Sequence, residues 1–176
     1  MARSEEELLR ATAGGDQNAF EELYHLYKKP LAKLLYRLSF DRILVDDLMQ
    51  EVFVRLWRGA GSFRGLSKVS TFVFRIAYNV YINESRKRKE KLSEELHSET
   101  TVQPYDQLIR EEMQARVRDA IQSLPEHERA ALILSEYNDL KYQEIGEVLG
   151  IPVGTVKSRI FSAVNRLRER LGPHLR

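Results

Sequence analysis

The chain has 176 residues and a formal net charge of +2, with 43% hydrophobic and 31% charged residues, which suits one large or two small soluble domains. Cysteine is absent and the four histidines are scattered, which excludes disulfides and thiolate metal sites and predicts neither a metal site nor a cofactor. No apolar run approaches the roughly eighteen residues of a membrane span, and the acidic N-terminus is not a signal peptide, so we expect a cytoplasmic protein without membrane insertion.

Helical patterns dominate the N-terminal part of the chain. Strand signals are nearly absent, and proline and glycine separate stretches of helical period, which predicts an all-α protein. Ser4 is a suitable N-cap for a first helix that ends near Ala13, before two glycines. Asn18 is predicted to cap a second helix, and Pro30 to open or kink a third. The aromatic residues of these helices are most simply core.

A strong amphipathic helix is predicted over residues 45–58. Its buried stripe consists of Val45, Leu48, Val52 and Leu56. Val54 and Trp57 extend its apolar character beyond that stripe, which predicts a second buried surface or a docking face for a partner. Its other face carries three carboxylates, those of Asp46, Asp47 and Glu51. An enzyme built on these carboxylates is an alternative, but no histidine or glycine-rich loop supports such a site.

The next helix, predicted over residues 68–91, combines an apolar stripe with cations. It follows a glycine-containing loop that holds Phe63 and Arg64. Its apolar stripe consists of Val69, Phe72, Val73, Ile76, Ala77, Val80 and Tyr81, and the side chains off that stripe include Arg75, Tyr78, Asn79, Asn83 and Arg86. This mixture suits single-stranded nucleic acid, because bases stack on rings while cations follow the backbone. An apolar helix with a solvated basic tail is the alternative.

Residues 92–104 divide the chain. They are acidic, rich in Ser and Thr and poor in large apolar residues, which is typical of a flexible linker between domains. A helix is predicted from about residue 105 to 123, and Pro125 opens another that ends at residues 138–139. The sequence therefore predicts two small helical domains on either side of an acidic linker.

The stretch 140–171 is typical of a helix-turn-helix. Gly150 suits a left-handed C-cap and Pro152 the start of the second helix. The apolar stripe predicted for that helix is Val153, Val156, Ile160, Val164, Leu167 and Leu171. Its other face carries short hydroxyl side chains that allow close approach to base edges, with Lys157 and Arg159 on the flanks to reach phosphates. The alternative is an amphipathic hairpin in an ordinary helical bundle.

Taken together, these motifs resemble the bacterial RNA polymerase sigma factors of the sigma-70 family, specifically the extracytoplasmic-function (ECF) group. The resemblance runs from about residue 19 to 171. Residues 47–57 resemble the polymerase-docking helix of that family. Residues 63–64 and 71–79 resemble its −10 promoter segment, and residues 124–129 and 142–159 its −35 domain. Phe72 stands where the family usually has tryptophan, and Tyr78 where it often has a basic residue.

The resemblance implies a domain organisation and a set of partners. Residues 1–91 would form a region 2-like domain, residues 92–104 the linker, and residues 105–176 a region 4-like domain. The protein would be no enzyme but a factor that binds core RNA polymerase, at the β′ clamp helices and the β subunit, and directs promoter recognition and −10 melting. A dedicated anti-sigma factor is a further expected partner. A stand-alone helix-turn-helix regulator is the alternative, but it leaves residues 45–91 without a role.

The resemblance also assigns residues to three binding surfaces. The polymerase-binding residues would be Asp47, Gln50, Glu51, Phe53 and Trp57. The −10 non-template strand would be bound by Phe63, Arg64, Lys68, Arg75, Asn79, Asn83 and Arg86. The −35 duplex would be bound by Thr155, Lys157, Ser158, Arg159, Phe161 and Ser162.

Overall fold

The computed structural model describes residues 3–94, 110–136 and 140–172. These residues form eight α-helices and one 3-10 helix and contain no strand, which confirms the all-α prediction. The helices are α1 (Glu5–Ala13), α2 (Gln17–Ser39), α3 (Arg42–Gly59), α4 (Val69–Glu94), α5 (Arg110–Gln122), α6 (Glu126–Ser135), α7 (Tyr142–Leu149) and α8 (Val153–Leu171), and the 3-10 helix is Ala60–Ser62. No helix in this part of the chain is long and apolar enough to cross a membrane.

Helix α2 departs from the prediction at its start and in its middle. It begins at Gln17 because the Asp16 carboxylate accepts the N–H groups of Asn18 and Ala19, at 2.9 and 3.1 Å, so the prediction of Asn18 as the cap is wrong. It then continues through Pro30, which therefore does not open a new helix. The leucines that follow Pro30 are fully buried, and their burial offsets the hydrogen bond that proline cannot donate.

Side-chain caps also start α1 and α3. Ser4 and Glu7 form a capping box at α1, so the predicted cap is confirmed. The Asp41 carboxylate accepts the N–H groups of Ile43 and Leu44, at 3.0 and 3.1 Å, and starts α3 three residues earlier than predicted. The buried stripe of α3 is confirmed and consists of Val45, Leu48, Val52 and Leu56.

The predicted helix-turn-helix is formed by α7 and α8. Gly150 ends α7 at φ 67°, in the left-handed region that favours glycine. The N–H of Ile151 donates to the carbonyl of Gly146 at 2.9 Å, which folds the turn back onto α7. A Cβ atom at Gly146 would lie 2.8 Å from the Ile151 carbonyl oxygen, so this turn requires glycine inside α7.

The buried stripe of α8 differs from the prediction. Val156 and Ala163 are fully buried, and Ile160 and Leu167 pack partly against the core, whereas Val153 and Val164 are each 37% exposed. The neighbouring helices cover the side of α8 that carries Ala163, because a small side chain lets α6 approach closely. Residues 92–94 continue α4, and the rest of the predicted linker lies outside the described residues.

The N-terminal helices (α1–α4) and the C-terminal helices (α5–α8) pack against each other. Helix α7 lies on α4, and α6 lies on α2. One continuous apolar core runs through both groups, from Leu8 and Leu9 in α1 to Val156 in α8. A smaller cluster of Leu124, Leu132 and Ala163, with Leu167 against it, holds α8 to α6 and to the end of α5.

Candidate protein and nucleic-acid interfaces

The outer face of α3 is open to solvent. It carries the exposed side chains of Asp47, Gln50, Glu51, Val54 and Trp57, which we call the docking face. Glu51 pairs with Arg55 one turn later, with 2.6 Å between Oε1 and Nε. Among the described residues, no group of acidic or histidine side chains is arranged to hold a metal ion. The face therefore presents a polar, mostly acidic strip beside an apolar edge.

Aromatic rings support the apolar edge of the docking face from below. Trp57 packs edge-on against Phe20, with ring centroids 5.1 Å apart, and Phe53 packs against Tyr24 at 4.7 Å. Only 7% of Phe53 is exposed, so the side chain that sequence reasoning placed on the surface lies in the layer beneath it. Val54 and Trp57 supply the accessible apolar area, as their position beyond the buried stripe indicated.

Helix α4 carries a second exposed face. Arg75, Asn79, Asn83 and Arg86 follow one another at helical spacing and are all exposed, and we call them the polar face. Lys68, at the start of α4, is exposed as well but pairs with Glu144 of α7 at 3.1 Å. The structure thus brings together on one helix surface the side chains predicted from its sequence.

The loop before α4 packs on that helix through two rings. Phe63 is half-buried, and its ring lies edge-on to Phe72 with centroids 5.4 Å apart. Phe72 itself is 6% exposed, so it keeps the packing role expected of an aromatic residue at this position. Arg64 is exposed at the mouth of a cavity of about 230 Å³ that Phe63 and Gly65 also line.

Tyr78 does not lie on the polar face. Its side chain is half-buried, and burial together with the nearby Glu126 carboxylate raises the pKa of its hydroxyl. Arg159 of α8 is also close enough to act on this hydroxyl electrostatically, in the opposite direction. Tyr78 is therefore turned toward the C-terminal helices.

The third exposed surface is the outer face of α8. Lys157, Ser158 and Phe161 are exposed there, and Phe161 is 68% exposed, which is unusual for an aromatic residue without a partner surface. The Ser158 hydroxyl donates to the Thr155 carbonyl at 3.0 Å. The remaining predicted residues, Thr155, Arg159 and Ser162, are half-buried along the edges of this face.

Sequence reasoning missed a set of ion pairs between the two groups of helices. Three carboxylates of the C-terminal helices accept cations of the N-terminal helices: Glu126 from Lys89 (2.6 Å), Glu136 from Arg37 (2.7 Å) and Glu144 from Lys68 (3.1 Å). The Arg129 guanidinium donates to the Tyr81 hydroxyl at 3.2 Å, beside these pairs. Glu126 was interpreted as a first-turn acidic residue, and no periodicity in the sequence indicates its distant partner.

Comparison with known proteins identifies the family. Two family models match the chain, Sigma-70 region 2 over residues 23–91 and Sigma-70 region 4 over residues 114–167. The RNA polymerase sigma-H factor of Pseudomonas aeruginosa is 34% identical, over 98% of this chain and 96% of that protein. The ECF RNA polymerase sigma factor SigW of Bacillus subtilis is 33% identical, over 89% of this chain and 91% of that protein. The chain belongs to the ECF sigma factors.

Solved structures agree with this identification. The sigma factor resembles CnrH, solved in complex with the cytosolic domain of CnrY, with a TM-score of 0.74 and 25% identity over 96% of this chain and 97% of that one. It also resembles the sigma factor RpoE of Bartonella quintana, solved with the anti-sigma factor NepR, with a TM-score of 0.73 and 26% identity over 87% and 96% of the two chains. As a sigma factor, the protein binds core RNA polymerase and directs promoter recognition.

Proposed function

We propose that the docking face of α3 binds the clamp helices of the polymerase β′ subunit. Asp47, Gln50 and Glu51 supply the polar contacts, and Trp57 supplies the apolar anchor, because a partly exposed indole on a rigid aromatic base gains area at little entropic cost. Phe53 acts from beneath by holding the neighbouring rings. The observation that carries the proposal is that three exposed faces, on α3, α4 and α8, share no residue with one another.

The polar face of α4 engages the −10 non-template strand. Arg75 and Arg86 reach phosphates, and Asn79 and Asn83 reach base edges, since amides can both donate and accept. Lys68 adds a cation at the start of the helix. The cavity beside Phe63 and Arg64 holds an extruded base, whose unstacking costs a few kcal/mol that pocket contacts must offset.

The outer face of α8 reads the −35 element as duplex DNA. Lys157, Ser158 and Phe161 reach base edges, because they are the exposed members of the set. Thr155, Arg159 and Ser162 lie at the edges of the face and contact phosphates or position their neighbours. Phe161 offers an apolar surface that suits a thymine methyl group.

The division of labour follows the chain. Residues 1–91 form the polymerase and −10 domain, residues 92–104 the linker, and residues 105–176 the −35 domain. The protein acts in the cytoplasm, where it also meets the polymerase β subunit, and it catalyses no reaction of its own. An anti-sigma factor holds it inactive, a proposal that the RpoE–NepR complex supports by its likeness to this chain.

Run-off transcription with purified core polymerase on pooled genomic promoter fragments tests this proposal. Transcripts that require the protein are expected. Gln50→Ala with Glu51→Ala should weaken polymerase binding, and Lys157→Ala with Ser158→Ala should keep it while reducing −35 dependence by about 1–3 kcal/mol per lost base contact. Each double variant is the control for the other. Full polymerase affinity in the first, or equal loss of polymerase binding in both, would contradict the assignment of faces.

A further inference from the structure

The ion pairs between the two groups of helices all have the same polarity. Within the described residues, each of the three runs from a cation of the N-terminal helices to a carboxylate of the C-terminal helices. Two of the cations, Lys68 and Lys89, belong to α4, one at each end of its polar face. A carboxylate and a phosphate offer a cation the same ligand, an anionic oxygen. The two kinds of partner therefore compete for these lysines.

We propose that Glu126, Glu136 and Glu144 form a latch that holds the C-terminal helices on α4 and α2 in the free protein, and that promoter DNA displaces it by taking over the α4 cations. The latch rests on the proposed −10 role of α4. It assigns the closed arrangement of this chain a function: the protein does not bind −10 DNA until the C-terminal helices move away.

The surroundings of the latch favour strong pairs. The side chains of Glu144 and Glu126 are only 13% and 24% exposed, so their pairs are screened less than those on an open surface. Burial alone would raise the pKa of Glu126, but hydrogen bonds from Lys89 and Ser85 outweigh it and hold the pKa below its ordinary value. Both carboxylates therefore stay charged at neutral pH.

The latch also gives the contact a unique register. The continuous apolar core supplies attraction without direction, since apolar contact is not directional. Pairs at both ends of α4 and on Arg37 of α2 fix how α6 and α7 lie on it. The docking face lies on α3, and its side chains remain exposed in this closed arrangement. The latch thus covers part of the DNA-binding helix and leaves the polymerase-binding helix accessible.

A triple variant removes the latch charges with little change of shape. Glu126→Gln, Glu136→Gln and Glu144→Gln keep the side-chain length, and glutamine at 144 still accepts the N–H of Lys141 at the start of α7. The matched control is Asp119→Asn, Glu147→Gln and Glu169→Gln. These carboxylates are exposed on α5, α7 and α8 and change the net charge by the same amount. Any general gain in attraction to DNA is therefore equal in the two variants.

The first measurement is the distance between the two groups of helices. Because the chain has no cysteine, paired spin labels can be placed by Gln17→Cys and Gln143→Cys, at two exposed positions. We expect one short distance in the parent and control proteins, and a roughly tenfold larger open population in the latch variant, from the loss of three partly shielded pairs. Identical distance distributions in the latch and control variants would overturn the proposal. This readout does not depend on DNA.

The second measurement is the affinity of the free protein for single-stranded oligonucleotides, taken from the −10 regions of promoters found by run-off transcription. We expect the latch variant to bind several-fold more tightly than the control variant. Equal affinities, with an opened distance, would overturn the competition with DNA. Arg75→Ala in the latch variant separates the two proposals: if this change leaves oligonucleotide binding intact, the failure lies in the −10 role of α4 and not in the latch.

Discussion

The N-terminal and C-terminal helices differ in how they are held in place. Each of α1, α2 and α3 begins at a Ser or Asp whose side chain accepts first-turn N–H groups. Helices α6, α7 and α8 begin at Pro125, Lys141 and Pro152, none of which supplies a capping oxygen. Local interactions therefore stabilise the first group more than the second.

The apolar cores differ in the same direction. The cluster that belongs to the C-terminal helices alone contains only Leu124, Leu132 and Ala163, with Leu167 beside it. Their larger buried residues, such as Leu134 and Ile145, belong to the core shared with the N-terminal helices. The helices proposed to read the −35 element thus use the rest of the protein as one wall of their core. The comparison teaches that packing between the groups, more than local signals, orders the C-terminal half.

The largest expected effect comes from breaking the shared core on its N-terminal side. Leu34→Ala in α2 removes a fully buried side chain and should lower the free energy of unfolding by about 2–5 kcal/mol. Urea unfolding followed by Trp57 fluorescence reports the N-terminal helices, and a label at Gln143→Cys reports the C-terminal ones. We expect both probes to shift together.

Leu26→Ala on the same helix is the control. Leu26 is 51% exposed, so its truncation should change stability by less than about 0.5 kcal/mol. If Leu34→Ala shifts the Trp57 transition but leaves the label at position 143 unchanged, the C-terminal helices fold independently and the comparison fails.

A smaller effect, confined to the C-terminal half, is expected from Gly146→Ala. The new Cβ would lie 2.8 Å from a backbone oxygen that cannot rotate away, which should cost about 1–3 kcal/mol and disturb the turn before α8. Binding of −35 duplex DNA should fall, while Trp57 fluorescence stays native. Gly154→Ala is the matched control, because a Cβ at Gly154 meets nothing within 4 Å. Equal behaviour of the two alanine variants would show that the turn tolerates a side chain.

The sequence predicted the features that local chemistry determines. The stripe of α3 follows from helical period, and Gly150 follows from the need for a left-handed residue after α7. Both were confirmed because the neighbouring residues alone decide them. The three exposed faces were likewise visible as polar residues off an apolar stripe, although their binding roles stay predictions.

The features that were missed depend on distant neighbours. Asp16 and Asn18 are both good N-caps, and only the path of the chain into α2 selects Asp16. In α8 the packing of α6 buries Ala163, while the larger Val164 stays exposed. The pair between Arg37 and Glu136 joins residues that are 99 positions apart, and no local pattern indicates it.

Adding a cap to the C-terminal half should sharpen the comparison. Lys141 occupies the N-cap of α7 in extended conformation, and the Glu144 side chain already accepts its N–H at 2.6 Å. Lys141→Ser would complete a capping box and should raise stability by about 0.5–1 kcal/mol, measured by thermal unfolding. Lys141→Ala removes the same cation without adding an oxygen and is the control. No gain of serine over alanine would mean that α7 is already saturated by its packing.

The smallest effect is expected at the cap of α3, and it concerns pH. The N–H of Leu44 lowers the pKa of Asp41, with further contributions from Arg88 and the N–H of Ile43, against an opposing effect of partial burial. A lowered pKa means that the folded state prefers the carboxylate. The stabilisation is therefore complete above the ordinary aspartate pKa of about 3.9 and is lost as the pH falls through the lower value of the folded state. Asp41→Asn keeps a capping oxygen but cannot titrate, so it should change stability little at pH 7. Below pH of about 4, its unfolding midpoint should fall less steeply with acid than that of the parent protein. Parallel acid profiles would show that the cap of α3 contributes nothing through its charge, and that the advantage of the N-terminal helices lies in their core alone.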